Sequence, residues 1–160
     1  MKITVIGFGY IGSVISAVLS NKGHTVTAID NNKNSIDELN QGICRIPEPL
    51  LQEMISNSVS SKVLSGSNSY ESVDDSDVIL VTVGTSLSEK YDADLSPLNN
   101  VFENLSKQSI KKKILMIKST IPPGVTRKLA KDYFGLNSNI YIGFSPERLA
   151  EGNAIQEFQE

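Results

Sequence analysis

The 160-residue chain has one cysteine, Cys44, and one histidine, His24. A single cysteine excludes an intrachain disulfide, so a cytoplasmic location is expected. It is also a poor basis for thiol chemistry, because Cys44 lies in a loop and His24 stands in the turn before the second strand. No run approaches the ~18 consecutive apolar residues of a bilayer span, so no membrane association is expected. The first apolar run, Ile3 to Ile6, is too short for a secretory leader and runs straight into the fold. Neither sign of charge dominates. Fifteen basic against eighteen acidic residues leave a net charge of −3, which gives no electrostatic reason to expect nucleic acid. The one basic run, Lys111 to Lys113, falls between a helix and a strand and reads as a solvated turn. No metal site is expected.

What is present is a steady alternation of strands and helices. The length suits one domain, residues 1–160, and 39% hydrophobic residues suffice for a core. Strands are predicted at Lys2–Ile6, Thr25–Ile29, Val63–Ser65, Val78–Val83, Ile114–Lys118 and Ile140–Phe144. Helices are predicted at Tyr10–Lys22, Lys33–Gln41, Leu50–Ser58, Ser96–Ser109 and Val125–Phe134, with a helical turn over Val73–Ser76 and a charged helical stretch over Glu151–Glu160. Ile11, Val14, Ala17 and Val18 recur at helical spacing and face a sheet. Pro47 and Pro49 bar a helix through residues 42–49. The almost continuous apolar run at Val78–Val83 suits a parallel strand covered on both faces. Leu87 to Asp94 reads as a polar loop, after which Ser96 caps a helix carrying Pro97 in its first turn. The expected fold is α/β: a Rossmann-like, doubly wound, mostly parallel sheet with helices on both faces.

The first strand, turn and helix hold Gly7-Phe8-Gly9-Tyr10-Ile11-Gly12, the G-x-G-x-x-G dinucleotide fingerprint in its required context. In that motif Gly7 turns the chain off the strand, Gly9 leaves room for a pyrophosphate, and Gly12 lets the helix pack close to the sheet. The helix N–H groups then hold the phosphates. Asp30 ends the second strand about twenty residues further on, where a carboxylate accepts both ribose hydroxyls and repels a 2′-phosphate, favouring NAD over NADP. Lys33 stands either beside the adenosine or simply on the surface. A glycine triplet by itself marks only a tight turn, and the fingerprint names no reaction.

In such a sheet, ligands sit beyond the carboxyl ends of the strands. Three turns there have unusual composition: Gly84-Thr85-Ser86, Ser119-Thr120-Ile121-Pro122-Pro123-Gly124 and Ser145-Pro146-Glu147-Arg148. Thr120 offers a hydroxyl on a backbone pinned by two prolines, or belongs merely to a rigid turn. Glu147 offers a base, with Arg148 pairing with it or with substrate, or the two form a surface ion pair.

At these turns the chain resembles the nucleotide-sugar 6-dehydrogenases, which include the UDP-glucose and UDP-N-acetylmannosamine dehydrogenases. The matching pieces are the glycine run, Gly23-His24-Thr25-Val26, Ile29-Asp30, Glu48-Pro49, Val83-Gly84-Thr85, Asp94-Leu95, Ser119 to Gly124, and Ser145 to Leu149 with Glu151-Gly152. The resemblance implies oxidation of a sugar C6 alcohol to a carboxylate with two NAD, through a cysteine-bound thiohemiacetal and thioester. It puts Gly7, Gly9, Tyr10, Ile11, Gly12, Asp30, Lys33, Thr85 and Thr120 at or near the cofactor. It implies that Thr120 helps to order a catalytic water and that Glu147 acts as base or proton relay. Glu147, Arg148 and Leu149 fall where the chain begins to touch a UDP-sugar, the substrate partner it implies. Family dimers assemble mainly through a middle helix, so the full-length protein is expected to be a homodimer and this chain a monomer.

Two departures are local. Ser86 replaces a usual proline and loosens the backbone there, and Leu50 replaces a frequent glycine after Glu48-Pro49, which reads as a change of helix start. The larger departure is that the family's nucleophilic cysteine, catalytic lysine and catalytic aspartate have no equivalent here. Cys44 is on the wrong segment. The expectation is a domain of a longer enzyme that binds NAD without completing the oxidation. A non-enzymatic nucleotide sensor of the potassium-transport type explains Asp30 equally well, but not Ser119–Gly124 or Ser145–Arg148. Another NAD-linked alcohol dehydrogenase with a helical second domain would not be expected to carry the Pro-Glu-Arg run.

Overall fold

Runs rich in β-branched residues form β1 (Lys2–Ile6) and β2 (Thr25–Ile29), and each has a parallel neighbour on both sides. The computed structural model describes residues 1–86, 93–135 and 139–159. Among these, β3 (Leu64–Ser67), β4 (Val78–Val81), β5 (Ile114–Ile117) and β6 (Tyr141–Phe144) complete one sheet in the order β3-β2-β1-β4-β5-β6. Every pairing is parallel. The helices are α1 (Tyr10–Asn21), α2 (Lys33–Asn40), α3 (Leu51–Ser60), α4 (Ser96–Ser106), α5 (Val125–Phe134) and α6 (Ala154–Gln159). A 3-10 turn over Glu71–Asp75 precedes β4. The strand order reverses between β1 and β4, which opens a crevice beyond their carboxyl ends.

The period-two alternation of the strands divides the core into two layers. Ile3, Val5, Val26 and Ala28 join Val14, Val18, Ile36, Leu39, Leu51 and Ile55 on the face covered by α1, α2 and α3, where Ala154 and Ile155 of α6 also pack. Ile6, Ile29, Ile79, Val81, Leu115 and Ile117 join Leu98, Phe102, Leu105 and Leu129 on the face covered by α4 and α5. Burial of each large aliphatic side chain contributes about 1.5–3 kcal/mol. Among the described residues no helix is long and apolar enough to cross a membrane.

Several element ends differ from the sequence expectations. β3 extends to Ser67 because pairing with β2 carries Gly66 and Ser67 into the ladder despite their weak strand propensity. β4 ends at Val81, since its neighbour β1 leaves the sheet at Gly7 (φ +101°). Ser96 is the first residue of α4, not its cap. Leu95 holds the cap position without a side-chain cap, and the Asp94 carboxylate before it accepts from the Ser96 N–H at 2.9 Å. α3 begins at Leu51. Leu50 before it is left-handed (φ 67°) and 65% exposed, a conformation that glycine adopts most readily. Residues 87–92, most of the loop expected before α4, lie outside the described residues.

Candidate functional site

The glycine run closes the end of β1 tightly. The Gly7 N–H donates to the Ile29 carbonyl at 2.7 Å, and Thr82 Oγ1 donates to the Gly7 carbonyl at 2.7 Å. A Cβ on Gly12 would lie 1.8 Å from the Gly7 carbonyl oxygen, so no side chain fits where α1 crosses the turn. Gly9 differs: a Cβ there would meet nothing within 4 Å. α1 starts with neither a side-chain cap nor an acidic residue in its first turn, which leaves its N–H groups for an anion.

Asp30 faces the same space. Its Oδ2 accepts from the Phe8 N–H at 2.6 Å and its Oδ1 from the Asn32 N–H at 2.8 Å. Each carboxylate oxygen keeps acceptor capacity for a ligand hydroxyl. Asn68 Nδ2 holds the Asp30 carbonyl at 2.7 Å. The cleft has a volume of about 720 Å³, within the range of small-molecule sites. Gly7, Gly9 and Asp30 line one side, Thr82 and Gly84 follow β4, and Asn100 and Asn104 of α4 line another wall. The open space at Gly9, the uncapped helix and the acceptor at Asp30 fit a dinucleotide whose pyrophosphate lies on α1 and whose ribose lies at β2.

The turns after β4, β5 and β6 are bonded to one another. Thr85 Oγ1 donates to the Thr120 carbonyl at 2.7 Å, and Ser119 Oγ donates to the Val83 carbonyl at 2.6 Å. Glu147 Oε2 lies 2.9 Å from Lys118 Nζ, with the two side chains 15% and 13% exposed. Its Oε1 accepts from the Arg148 N–H at 3.0 Å. The surface pair considered for Glu147 and Arg148 is therefore corrected: the carboxylate is largely buried and its cation is Lys118. Arg148 is exposed, and Leu149 packs against the first core layer.

Ile11 also packs on that layer, and Gly12 stands behind the cleft wall. Lys33 Nζ pairs with Asp37 at 2.7 Å on the exposed side of α2, away from the lining of the cleft. The Tyr10 hydroxyl donates to Glu48 Oε2, which also accepts from the Gly152 N–H at 2.8 Å, while Oε1 accepts from the Ile155 N–H at 3.2 Å. Glu48 is only 7% exposed. Burial alone pushes its carboxyl up, but donation from Tyr10 and from the amides of Ile155, Gly152 and Ala154 outweighs it and holds the group below the usual carboxylate range. Burial and the hydrogen bond to Glu48 raise the Tyr10 phenol. Cys44 is half-buried beside the same layer, its N–H donates to Gln52 Oε1 at 2.7 Å, and burial pushes its thiol up.

Sequence reasoning missed Lys118, Thr82, Asn68 and the α4 asparagines. A signal existed for the first two: Thr82 is the one hydroxyl in an apolar run, and Lys118 is a charge closing another. Asn68, Asn100 and Asn104 carry no such mark: the pairing of β3 with β2 brings Asn68 to the cleft, and the placement of α4 brings Asn100 and Asn104.

Comparison with known proteins agrees with this geometry. The NAD binding domain of the UDP-glucose/GDP-mannose dehydrogenase family matches residues 1–160. A UDP-glucose 6-dehydrogenase of Rickettsia prowazekii is 34% identical over 99% of this chain and 37% of its own length. A UDP-N-acetyl-D-mannosamine dehydrogenase of Methanococcus maripaludis is 32% identical over 99% of the chain and 37% of its own length. The solved GDP-mannose dehydrogenase of Pseudomonas aeruginosa superposes with a TM-score of 0.92 at 30% identity, covering 99% of this chain and 38% of that one. The chain thus spans little more than a third of these relatives. With a sheet, a cleft and a fingerprint that agree from end to end, the chain belongs to the UDP-glucose/GDP-mannose dehydrogenase family as its NAD-binding domain.

Proposed function

We propose that this chain is the cofactor-binding part of a UDP-sugar 6-dehydrogenase, a cytoplasmic homodimer that oxidises a sugar C6 alcohol to the carboxylate with two NAD. The observation that carries this reading is the joining of two features at the carboxyl end of one sheet. Asp30 and Gly9 face a single cleft, and the turns holding Thr85, Thr120 and Glu147 are tied across β4, β5 and β6 beside it. The names of the curated relatives favour a UDP-sugar.

In this reading the α1 N–H groups bind the pyrophosphate and Asp30 accepts the ribose hydroxyls while repelling a 2′-phosphate. NAD, when bound, supplies the hydride acceptor. Thr120 helps to order a water, and Glu147 takes its proton during hydrolysis of the acyl intermediate. Arg148 and Leu149 begin the substrate-facing segment. Lys33, already paired with Asp37, reaches the adenosine only by leaving that pair. Cys44 takes no part, so the 160-residue chain alone binds NAD without turnover.

The test is NAD reduction by the full-length protein with a panel of UDP-glucose, UDP-N-acetylmannosamine, UDP-N-acetylgalactosamine and GDP-mannose. Oxidation of a UDP-sugar supports the reading. Oxidation of GDP-mannose alone, to which the Pseudomonas aeruginosa structure points as a second reading, replaces the substrate class. No oxidation of any of them refutes it.

A further inference from the structure

We propose that Lys118 is a positioning residue for Glu147, fixing by a largely buried ion pair the direction in which the carboxylate presents its free acceptor sites. This rests on the reading of Glu147 as the hydrolytic base. Lys118 directly follows β5, and its N–H donates to the Val81 carbonyl at 2.8 Å, so its backbone is held by the sheet. Its ammonium donates to Ser145 Oγ at 3.3 Å and lies 2.9 Å from Glu147 Oε2. Ser145 and Glu147, both in the turn after β6, are thereby engaged by one cation from the neighbouring strand. The Arg148 N–H at Oε1 completes the constraint on the carboxylate plane. A carboxylate on a turn has three free torsions, and few of them survive two directed bonds at opposite oxygens. The side chains are 13% and 15% exposed, so water competes poorly for the pair.

The experiment compares Lys118→Met, Lys118→Arg and Glu147→Gln in the full-length protein, measuring kcat, both KM values and the NAD Kd. Displacement of a reacting group by about 1 Å costs on the order of 100-fold in rate, so Lys118→Met should lower kcat by roughly that factor. Both KM values and the NAD Kd should stay within about a factor of two. Lys118→Arg, which keeps the cation, should recover most of the loss, and a double variant Lys118→Met/Glu147→Gln should be no slower than Glu147→Gln alone. A normal kcat in Lys118→Met beside a slow Glu147→Gln overturns the Lys118 proposal and leaves the role of Glu147 standing. A normal kcat in Glu147→Gln overturns both. Equal losses in Lys118→Met and Lys118→Arg, with a matching fall in melting temperature, make Lys118 structural only and also overturn the proposal. If Lys118→Met does not fold, Lys118→Gln is judged against Lys118→Arg by the same criteria.

Discussion

Gly9 and Gly12 stand three residues apart in one motif, and the fold assigns them opposite sensitivities to the same added methyl group. At Gly9 the backbone is extended (φ −83°, ψ −159°), and a Cβ meets nothing within 4 Å. Gly9→Ala therefore costs the fold little and removes unfolded-state freedom, a gain of about 0.4–1 kcal/mol. For a chain of this size that is a rise in Tm of about 1–4 °C. The methyl group occupies the space through which a pyrophosphate approaches the α1 N–H groups. Loss of one charge-assisted hydrogen bond, about 1.5–3 kcal/mol, weakens NAD binding roughly 10- to 150-fold. At Gly12 the methyl group would lie 1.8 Å from the Gly7 carbonyl oxygen and 2.7 Å from Thr82 Oγ1. Thr82 can rotate away, but the carbonyl belongs to the turn and cannot. Overpacking of this kind costs about 3 kcal/mol or more, a fall in Tm of at least ~6 °C. Calorimetric melting and NAD titration of the chain separate the two effects. Unchanged NAD affinity in Gly9→Ala, or an unchanged Tm in Gly12→Ala, would refute the packing argument.

Other substitutions probe the acid, the buried anchor and the strained turn. Asp30→Asn should narrow the preference for NAD over NADP by about 10-fold or more, read as the ratio of the two Kd values by calorimetry. An unchanged ratio would remove Asp30 from the ribose site. Glu48 sits below the usual carboxylate range, so the folded state binds its proton less readily than the unfolded chain does. Its contribution is full above the ordinary pKa of about 4.3 and is lost as pH falls through the lower folded value. The stability gap between wild type and Glu48→Gln should therefore close on acidification, and a gap that widens would contradict the assignment. Leu50→Gly should relieve a left-handed conformation costing about 1–2 kcal/mol, less the entropy of glycine, raising Tm by about 2 °C. A fall in Tm would show that the exposed leucine makes a contact that matters.

The side of the cleft lined by Gly7, Gly9 and Asp30 was legible because short stretches of chain encode it. A turn that needs Gly7 at φ +101°, a helix that crosses it at Gly12 and an acid at the end of the next strand all follow from steric rules acting within about thirty residues. The alternation of apolar strands and amphipathic helices likewise carried the parallel sheet and its two layers. Residues Leu87 to Tyr91 carried no comparable pattern beyond their polarity.

What the sequence by itself determined is the kind of fold, the fingerprint and the acid at the end of β2 that lines the cleft. The tertiary structure alone decided which groups meet across that frame. Lys118 reaches Glu147 because β5 and β6 are parallel neighbours whose carboxyl ends lie together. Glu48 joins Tyr10 to the start of α6 because α1 and α6 pack on one face of the sheet. Asn100 and Asn104 enter the cleft because α4 crosses back over β4. Each pairing depends on strand order and helix placement, which come from burying two apolar faces at once, and no local rule along the chain contains that information.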